Sequence, residues 1–181
     1  MDRGGGLIYD DVLNITWLQD ANFPKTSGLI DTGMMDWDSA MLWSANLEYG
    51  GYNDWRLPSA GENPVIGYND TGSEMGHLYY TPEPHGLGNL AGVDISNTGP
   101  FFNLEYGTYW TSTEYDLDPQ NAWTFFFGYG AQSPDRKYLT DNYYAWAVRD
   151  GDVEVVPVPG AVWLVGPGLI TIVGFRKKLK K

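Results

Sequence analysis

Four side chains with oxygen atoms lie close together in one short stretch, and their types could bind a metal ion. They are Glu114, Asp116, Asp118 and Asn121. Calcium takes about six to eight oxygen ligands, mostly carboxylates and amide carbonyls. The stretch is therefore a candidate calcium site. Asp and Asn also form turns without any ligand, so an acidic turn with no metal is the alternative.

A second group combines aromatic rings with polar side chains near the end of the domain, and it could bind a sugar. Tyrosine offers a flat apolar ring with a polar tip, and Asn, Asp and Arg side chains can hydrogen-bond to hydroxyls. We predict a ligand-binding surface from these residues, with burial of the aromatic rings in the core as the alternative. The group comprises Tyr129, Asp135, Arg136, Tyr138, Asn142 and Tyr143.

Residues suited to catalysis are sparse, so we predict that the protein is not an enzyme and has no cofactor apart from the candidate calcium. The chain has no cysteine and two histidines, His77 and His85. Thiolate chemistry is therefore excluded, and neither histidine has a second one at the spacing of a metal site. Ser112 and Ser133 lack the Gly-x-Ser-x-Gly setting of a nucleophile elbow. A hydrolase with two carboxylates is an alternative, because acidic residues are abundant.

Two arginines lie in apolar sequence settings, where a guanidinium needs a carboxylate partner. Arg56 follows Trp55 and precedes Leu57, and Arg149 ends an apolar run. We predict structural ion pairs for both. The alternative for Arg56 is a fork that binds a ligand carboxylate or sulfate.

The charge distribution separates the chain into an acidic part and a basic end. Before Val158 there are 23 acidic and six basic residues, a net charge of 6 − 23 = −17, and the remaining five basic residues all follow Phe175. Nucleic-acid binding needs clustered Lys and Arg, so we exclude nucleic acid as a partner. A strongly acidic surface favours solubility outside the cell and attracts cations.

The elements that must position these residues are short strands joined by Gly- and Asn-rich turns, with few helices. Alternating apolar residues predict strands over 7–9, 15–18, 109–114, 123–129 and 143–149. Asp36 is a candidate N-cap for a helix that runs to about residue 48. A shorter helix is predicted over 73–80, long loops over 60–100, and a hairpin connection over 128–137.

Five segments in fixed order carry a family resemblance. They are GLIYD at 6–10, NITW at 14–17, DWRLPS at 54–59, YWTST at 109–113 and AWAVR at 145–149. Together they resemble the Lcl C-terminal domain-like family (DUF1566), over about residues 6 to 150. The resemblance implies an α+β, C-type-lectin-like fold with a small twisted antiparallel sheet, one or two short helices and long loops. It also implies a surface protein that binds glycans, and we predict this domain over residues 1–152.

The last segment, residues 153–181, has the order of a membrane-sorting signal. Pro157, Val158 and Pro159 begin an apolar run that reaches Phe175 without a charged residue, and Arg176, Lys177 and Lys178 follow. As a helix, residues 158–175 would span about 27 Å, close to a hydrocarbon core of about 30 Å. We predict a transmembrane helix with a cytoplasmic C-terminus; a buried core helix is the alternative.

The tail resembles the PEP-CTERM sorting signal of Gram-negative bacteria, with Val-Pro-Val-Pro in place of the usual Pro-Glu-Pro. This resemblance implies processing by an exosortase-like enzyme, and passage through the inner membrane to the cell surface or extracellular matrix. Residues 1–6 do not resemble a secretory signal, so we expect a leader upstream of Met1. The combined hypothesis is an exported protein with a lectin-like domain that binds extracellular polysaccharide. A structural matrix module without a ligand site is the alternative.

Overall fold

The computed structural model describes residues 1–139 and 143–153, which form a mixed α+β domain as predicted. The predicted transmembrane helix over 158–175 and the basic end lie outside the described residues. Within the described part of the chain, no helix is both long enough and apolar enough to cross a bilayer. The elements are β1 Asp2–Gly4, β2 Leu7–Asp10, β3 Ile15–Leu18, α1 Phe23–Thr26, α2 Trp37–Ala45, α3 Glu74–Tyr80, β4 Thr108–Glu114, β5 Asn121–Phe126, β6 Ala131–Arg136, β7 Tyr143–Tyr144 and β8 Val148–Asp150.

The strands form two four-stranded sheets rather than the single small sheet that we predicted. One sheet has the order β1-β2-β3-β8 and is antiparallel throughout. The other has the order β6-β5-β4-β7, and its β4–β7 pair is parallel. The prediction of one strand over 143–149 is wrong, because this segment leaves one sheet after Tyr144 and joins the other at Val148. Between them Trp146 is completely buried, so the crossing passes through the core.

Helix α2 begins at the predicted Asp36 cap, and α3 begins directly after Ser73, which acts as its N-cap. The Asp36 carboxylate accepts a hydrogen bond from Ser39 N at 2.7 Å, and Ser73 Oγ accepts one from Gly76 N at 3.0 Å. Each side chain thereby satisfies a backbone N–H that has no partner within its helix. Helix α2 ends at Ala45, earlier than predicted. The Asn46 side chain bonds back to Leu42 O at 2.8 Å and competes with continuation of the helix.

Strand β6 occupies the region that we predicted as a hairpin connection. It pairs with β5 along its whole length, from Asn121↔Arg136 to Phe126↔Ala131. Pro134 lies within β6, which is an edge strand. A proline is tolerated there because an N–H that faces away from the neighbouring strand makes no hydrogen bond within the sheet. Gly67 and Gln132 exchange backbone hydrogen bonds of 2.8 and 2.7 Å. The long loops predicted over 60–100 are confirmed, with only α3 between them. The loop that contains Gly67 lies along β6.

Buried indole N–H groups connect elements that are distant in sequence. Trp37 donates to Thr111 O at 2.8 Å, Trp110 to Met35 O at 2.8 Å, and Trp146 to Leu18 O at 2.7 Å. These bonds satisfy polar groups that would be costly to bury alone. These three tryptophans are therefore core residues.

Candidate functional site

The candidate calcium residues lie around the β4–β5 turn, where most of their contacts stabilise the turn itself. Asp118 accepts hydrogen bonds from Gln120 N at 3.1 Å and from the Asn121 side chain at 3.3 Å. Glu114 instead pairs with Lys137 at 2.7 Å. Among the residues that the structure describes, no three His, Cys, Asp or Glu side chains form a group that could hold a metal ion. Glu114, Asp116 and Asp118 therefore do not form such a group, and calcium binding at this turn stays a prediction.

The predicted ligand-binding group is divided between the two ends of the β5–β6 hairpin. Tyr143 OH donates to Asp135 at 2.5 Å, and Arg136 donates to Tyr138 OH at 2.7 Å. Burial, followed by the bond to Asp135, raises the pKa of the Tyr143 hydroxyl. Tyr129 lies in the turn at the opposite end of the hairpin. The length of β6, roughly 16 Å, separates this turn from Arg136. Asn142 lies outside the described residues.

Arg56 and Arg149 make the predicted ion pairs. Arg56 bonds Glu74 through two nitrogens, at 2.8 and 2.7 Å, and also contacts Asp150 at 2.6 Å. Arg149 forms a two-pronged pair with Asp54, at 2.7 and 2.8 Å, which lowers the pKa of the Asp54 carboxyl. With these carboxylates occupying both guanidinium groups, neither arginine is a candidate for binding an external anion.

Three aromatic rings pack against one another at the β5–β6 turn, and we call them the aromatic surface: Tyr106, Phe126 and Tyr129. Their ring centroids are 5.5, 5.7 and 5.1 Å apart, in edge-to-face arrangements. Tyr106 is 51% exposed and Tyr129 is 40% exposed. Core aromatic residues such as Trp17 and Phe127 are almost completely buried. These three rings are therefore packed together while both tyrosines remain substantially exposed to solvent.

Glycine at the turn allows the rings to approach this closely. A Cβ added to Gly128 would lie 2.4 Å from the Phe126 ring and 2.9 Å from the Tyr106 ring. Gly130 has a φ of +79°, which favours glycine. The Tyr80 hydroxyl donates to Gly130 O at 2.5 Å, which ties the turn to α3.

A second loop supports the aromatic surface from its other side. Gly92 N donates to Tyr129 O at 2.9 Å, and Ile95 N donates to Gly128 O at 3.0 Å. The Tyr106 hydroxyl donates to Asp94 at 2.8 Å. Interaction with the Tyr129 side chain, then burial and Asp94, raises the pKa of Tyr106. The Tyr106 hydroxyl thus joins the aromatic surface to the loop that contains Asp94.

Exposed apolar residues occur in the loops that reach this end of the domain. The loop paired with β6 through Gly67 and the loop bonded to Tyr129 through Gly92 both carry them. Isolated exposed apolar residues are normal, but several in adjoining loops indicate a contact surface. They are Val65, Ile66, Tyr68, Leu90 and Val93.

Sequence reasoning identified Tyr129 as a candidate binding residue but missed Tyr106 and Phe126. Tyr106 belongs to a loop far from the hairpin in sequence, and no periodicity links it to residue 129. A signal was present in Gly128, because a glycine beside consecutive aromatic residues indicates close approach by another group.

Comparison with known proteins identifies the domain. The model of the Lcl C-terminal domain matches residues 6–149, a span that contains all five of the predicted motifs. Neither a curated protein nor a solved structure matches the chain. The matched family is associated with extracellular and surface proteins. The match covers most of the chain, and the chain therefore belongs to the Lcl C-terminal domain family.

Proposed function

We propose that this chain is an exported surface protein whose C-type-lectin-like, non-catalytic domain binds polysaccharide at the aromatic surface. The observation that carries the proposal is the fixed, solvent-facing cluster of Tyr106, Phe126 and Tyr129. A rigid aromatic surface loses little conformational entropy when it binds a ligand. The association of the family with surface proteins supports the same location.

The chemistry of the cluster suits a sugar. The C–H face of a pyranose ring is apolar and packs on aromatic rings, while its hydroxyls need partners at the edge. Asp94 and the tyrosine hydroxyls provide such partners beside the rings. The acidic part of the chain carries a net charge of 6 − 23 = −17, which repels anionic polymers. Neutral polysaccharides are therefore the proposed ligand class.

We expect Tyr129→Ala and Tyr106→Ala each to weaken binding by about tenfold, which corresponds to about 1.4 kcal/mol, because each removes an exposed ring from the cluster. An array of neutral polysaccharides, with and without calcium, identifies a ligand, and calorimetry then measures the affinity of each variant. Tyr138→Ala is the matched control. Tyr138 is 60% exposed but lies at the other end of the hairpin, so its removal should leave affinity unchanged.

Two results would count against the site. An equal loss of affinity in all three variants would mean that the aromatic surface has no special role. No binding by the folded protein to any polysaccharide, together with self-association that saccharides do not inhibit, would favour a structural matrix module instead.

Delivery by the C-terminal segment is the second part of this proposal, and its support is the sequence of residues 157–181. Behind a secretion leader, in a Gram-negative host with an exosortase, we expect the full chain to reach the surface with cleavage near Pro157–Pro159. A chain that ends after Val153 should remain in the periplasm. Fractionation and mass analysis measure both outcomes. Equal release of the two chains would contradict sorting by the tail.

A further inference from the structure

A narrow pocket lies between the β2–β3 hairpin and the loop that follows α3, and it shares no residue with the aromatic surface. Its volume is about 50 Å³. This is room for several water-sized groups, but not for a whole sugar ring. The inner walls are mostly apolar, and the exposed side chains of Asp11 and His85 lie at the mouth. The principal lining residues are Ile8, Asp10, Trp17, Leu78, His85 and Phe101.

Polar atoms without partners are concentrated at this pocket. Across residues 1–139 and 143–153, five buried side-chain polar atoms have no hydrogen-bond partner. Three of the five are Asp10 Oδ2, Trp17 Nε1 and His77 Nε2. Asp10 and Trp17 line the pocket, and His77 Nε2 is 3.8 Å from Asp10 Oδ2. Most buried polar groups in folded proteins are hydrogen-bonded, so this grouping requires an explanation.

The role of Asp10 in the hairpin uses only one of its two oxygens. Asp10 Oδ1 accepts hydrogen bonds from Val12 N and Leu13 N, both at 3.0 Å. This turn is complete without Oδ2. Asp10 is only 8% exposed, and a carboxylate oxygen buried without a donor is unfavourable. The turn therefore does not account for the second oxygen, and His77 Nε2, at 3.8 Å, lies beyond hydrogen-bonding distance of it.

The pocket is held in place from both sides. Trp17 is completely buried and packs on Trp146 at 4.7 Å and on Phe101 at 6.4 Å between ring centroids. At the mouth, His85 Nδ1 lies 2.9 Å from Asp11 Oδ1, which joins the loop after α3 to the end of β2. A ligand would therefore enter a preformed pocket, which reduces the entropic cost of binding.

We propose that this pocket binds the hydroxyl-bearing end of a polyol or saccharide. Asp10 Oδ2 needs a donor, while Trp17 Nε1 needs an acceptor. A hydroxyl is both. An ammonium group would satisfy only the carboxylate, and an anion would satisfy only the indole. The apolar walls suit the C–H groups of the same ligand, and the volume limits entry to a terminal hydroxymethyl or a short diol.

Glycerol and methyl glucoside are the probes that test this pocket, and the readout is the indole N–H signal of Trp17 in ¹⁵N-labelled full-length protein. Comparison with Trp17→Phe assigns the signal. We expect both probes to shift it saturably at millimolar concentrations. A shift with methyl glucoside alone would identify a saccharide, and a shift with glycerol alone would identify a small polyol. No saturable shift with either probe would overturn the proposal and leave ordered water as the occupant.

Asp10→Asn is the diagnostic variant, because an asparagine keeps one oxygen for the turn and replaces the second with a donor. We expect it to weaken probe binding by about tenfold, as for loss of a hydrogen bond to a charged group. Asp31→Asn, at an exposed loop position, is the control and should bind normally. Unchanged binding by a folded Asp10→Asn variant would refute the site. If that variant does not fold, the wild-type titration still decides the outcome.

The two proposed sites can fail independently. Tyr129→Ala should leave the Trp17 shift intact, and Asp10→Asn should leave polysaccharide binding at the aromatic surface intact. If Tyr129→Ala abolished the Trp17 shift, the pocket would not be a separate site.

Discussion

Replacing Trp146 with alanine is expected to destabilise the domain by about 5 kcal/mol, enough to unfold a domain of ordinary stability. Trp146 is completely buried and lies where the chain crosses from one sheet to the other. Its ring contacts Trp17 at 4.7 Å and Phe101 at 4.9 Å between centroids, and its N–H bonds Leu18 O at 2.7 Å. Alanine would leave a large cavity and remove the donor that satisfies the Leu18 carbonyl.

Trp146→Phe separates these two contributions, because it keeps an aromatic ring but loses the N–H donor. We expect a cost of about 2 kcal/mol, from a smaller cavity and one lost hydrogen bond. Phe102→Ala is the control, since Phe102 is 48% exposed, and it should change stability by less than about 1 kcal/mol. Urea unfolding followed by circular dichroism measures all three variants. A cost for Trp146→Ala no larger than that of Phe102→Ala would contradict the placement of Trp146 in the core.

Replacing Arg56 with methionine is expected to cost about 3 kcal/mol, because breaking a largely buried ion pair leaves its partner uncompensated. Arg56 connects α3 to the end of β8 through Glu74 and Asp150. The Glu74 side chain is only 15% exposed and also accepts a hydrogen bond from Ser59 N at 2.7 Å. Burial lowers the pKa of Arg56, but these two carboxylates more than reverse that effect, so the guanidinium stays charged in place.

Arg136→Met is the matched control, because the Arg136 side chain is exposed and bonds only the Tyr138 hydroxyl among the contacts described for it. Its cost should be below about 0.5 kcal/mol. Chemical denaturation measures both arginine variants at the same salt concentration. A double-mutant cycle with Glu74→Gln should give a coupling free energy above about 1 kcal/mol. Equal costs for the two arginines, or no coupling to Glu74, would show that the network contributes little.

Interactions between residues that are near in sequence were predictable. The cap at Asp36, the short helix within 73–80, the strands at the start of the domain and the long loops follow from local propensity and alternation. Both arginine pairs were predictable too, because a guanidinium in an apolar setting requires a carboxylate partner, whatever the position of that carboxylate in the sequence. The partner of each could not be named, since 23 acidic residues were available.

The division of residues 143–150 between two sheets was not predictable, because alternation shows which face a residue occupies but not which strand it joins. Residues 143–149 have the pattern of one strand, yet Tyr143 pairs with Thr108 and Val148 pairs with Trp17. Choice of partner depends on the burial of Trp146 between the sheets. That burial is a property of the assembled core.

The sequence by itself determined the family, the mixed fold class, the acidic character of the domain and the tripartite order of the tail. These properties depend on composition and on local order along the chain. Only the tertiary structure decided that Tyr106 meets Tyr129, that Tyr129 is separated from Arg136, and that Asp10 and Trp17 line one pocket with His77 close to Asp10. Each of those facts is a contact between distant segments, and such contacts are set by how the two sheets pack together.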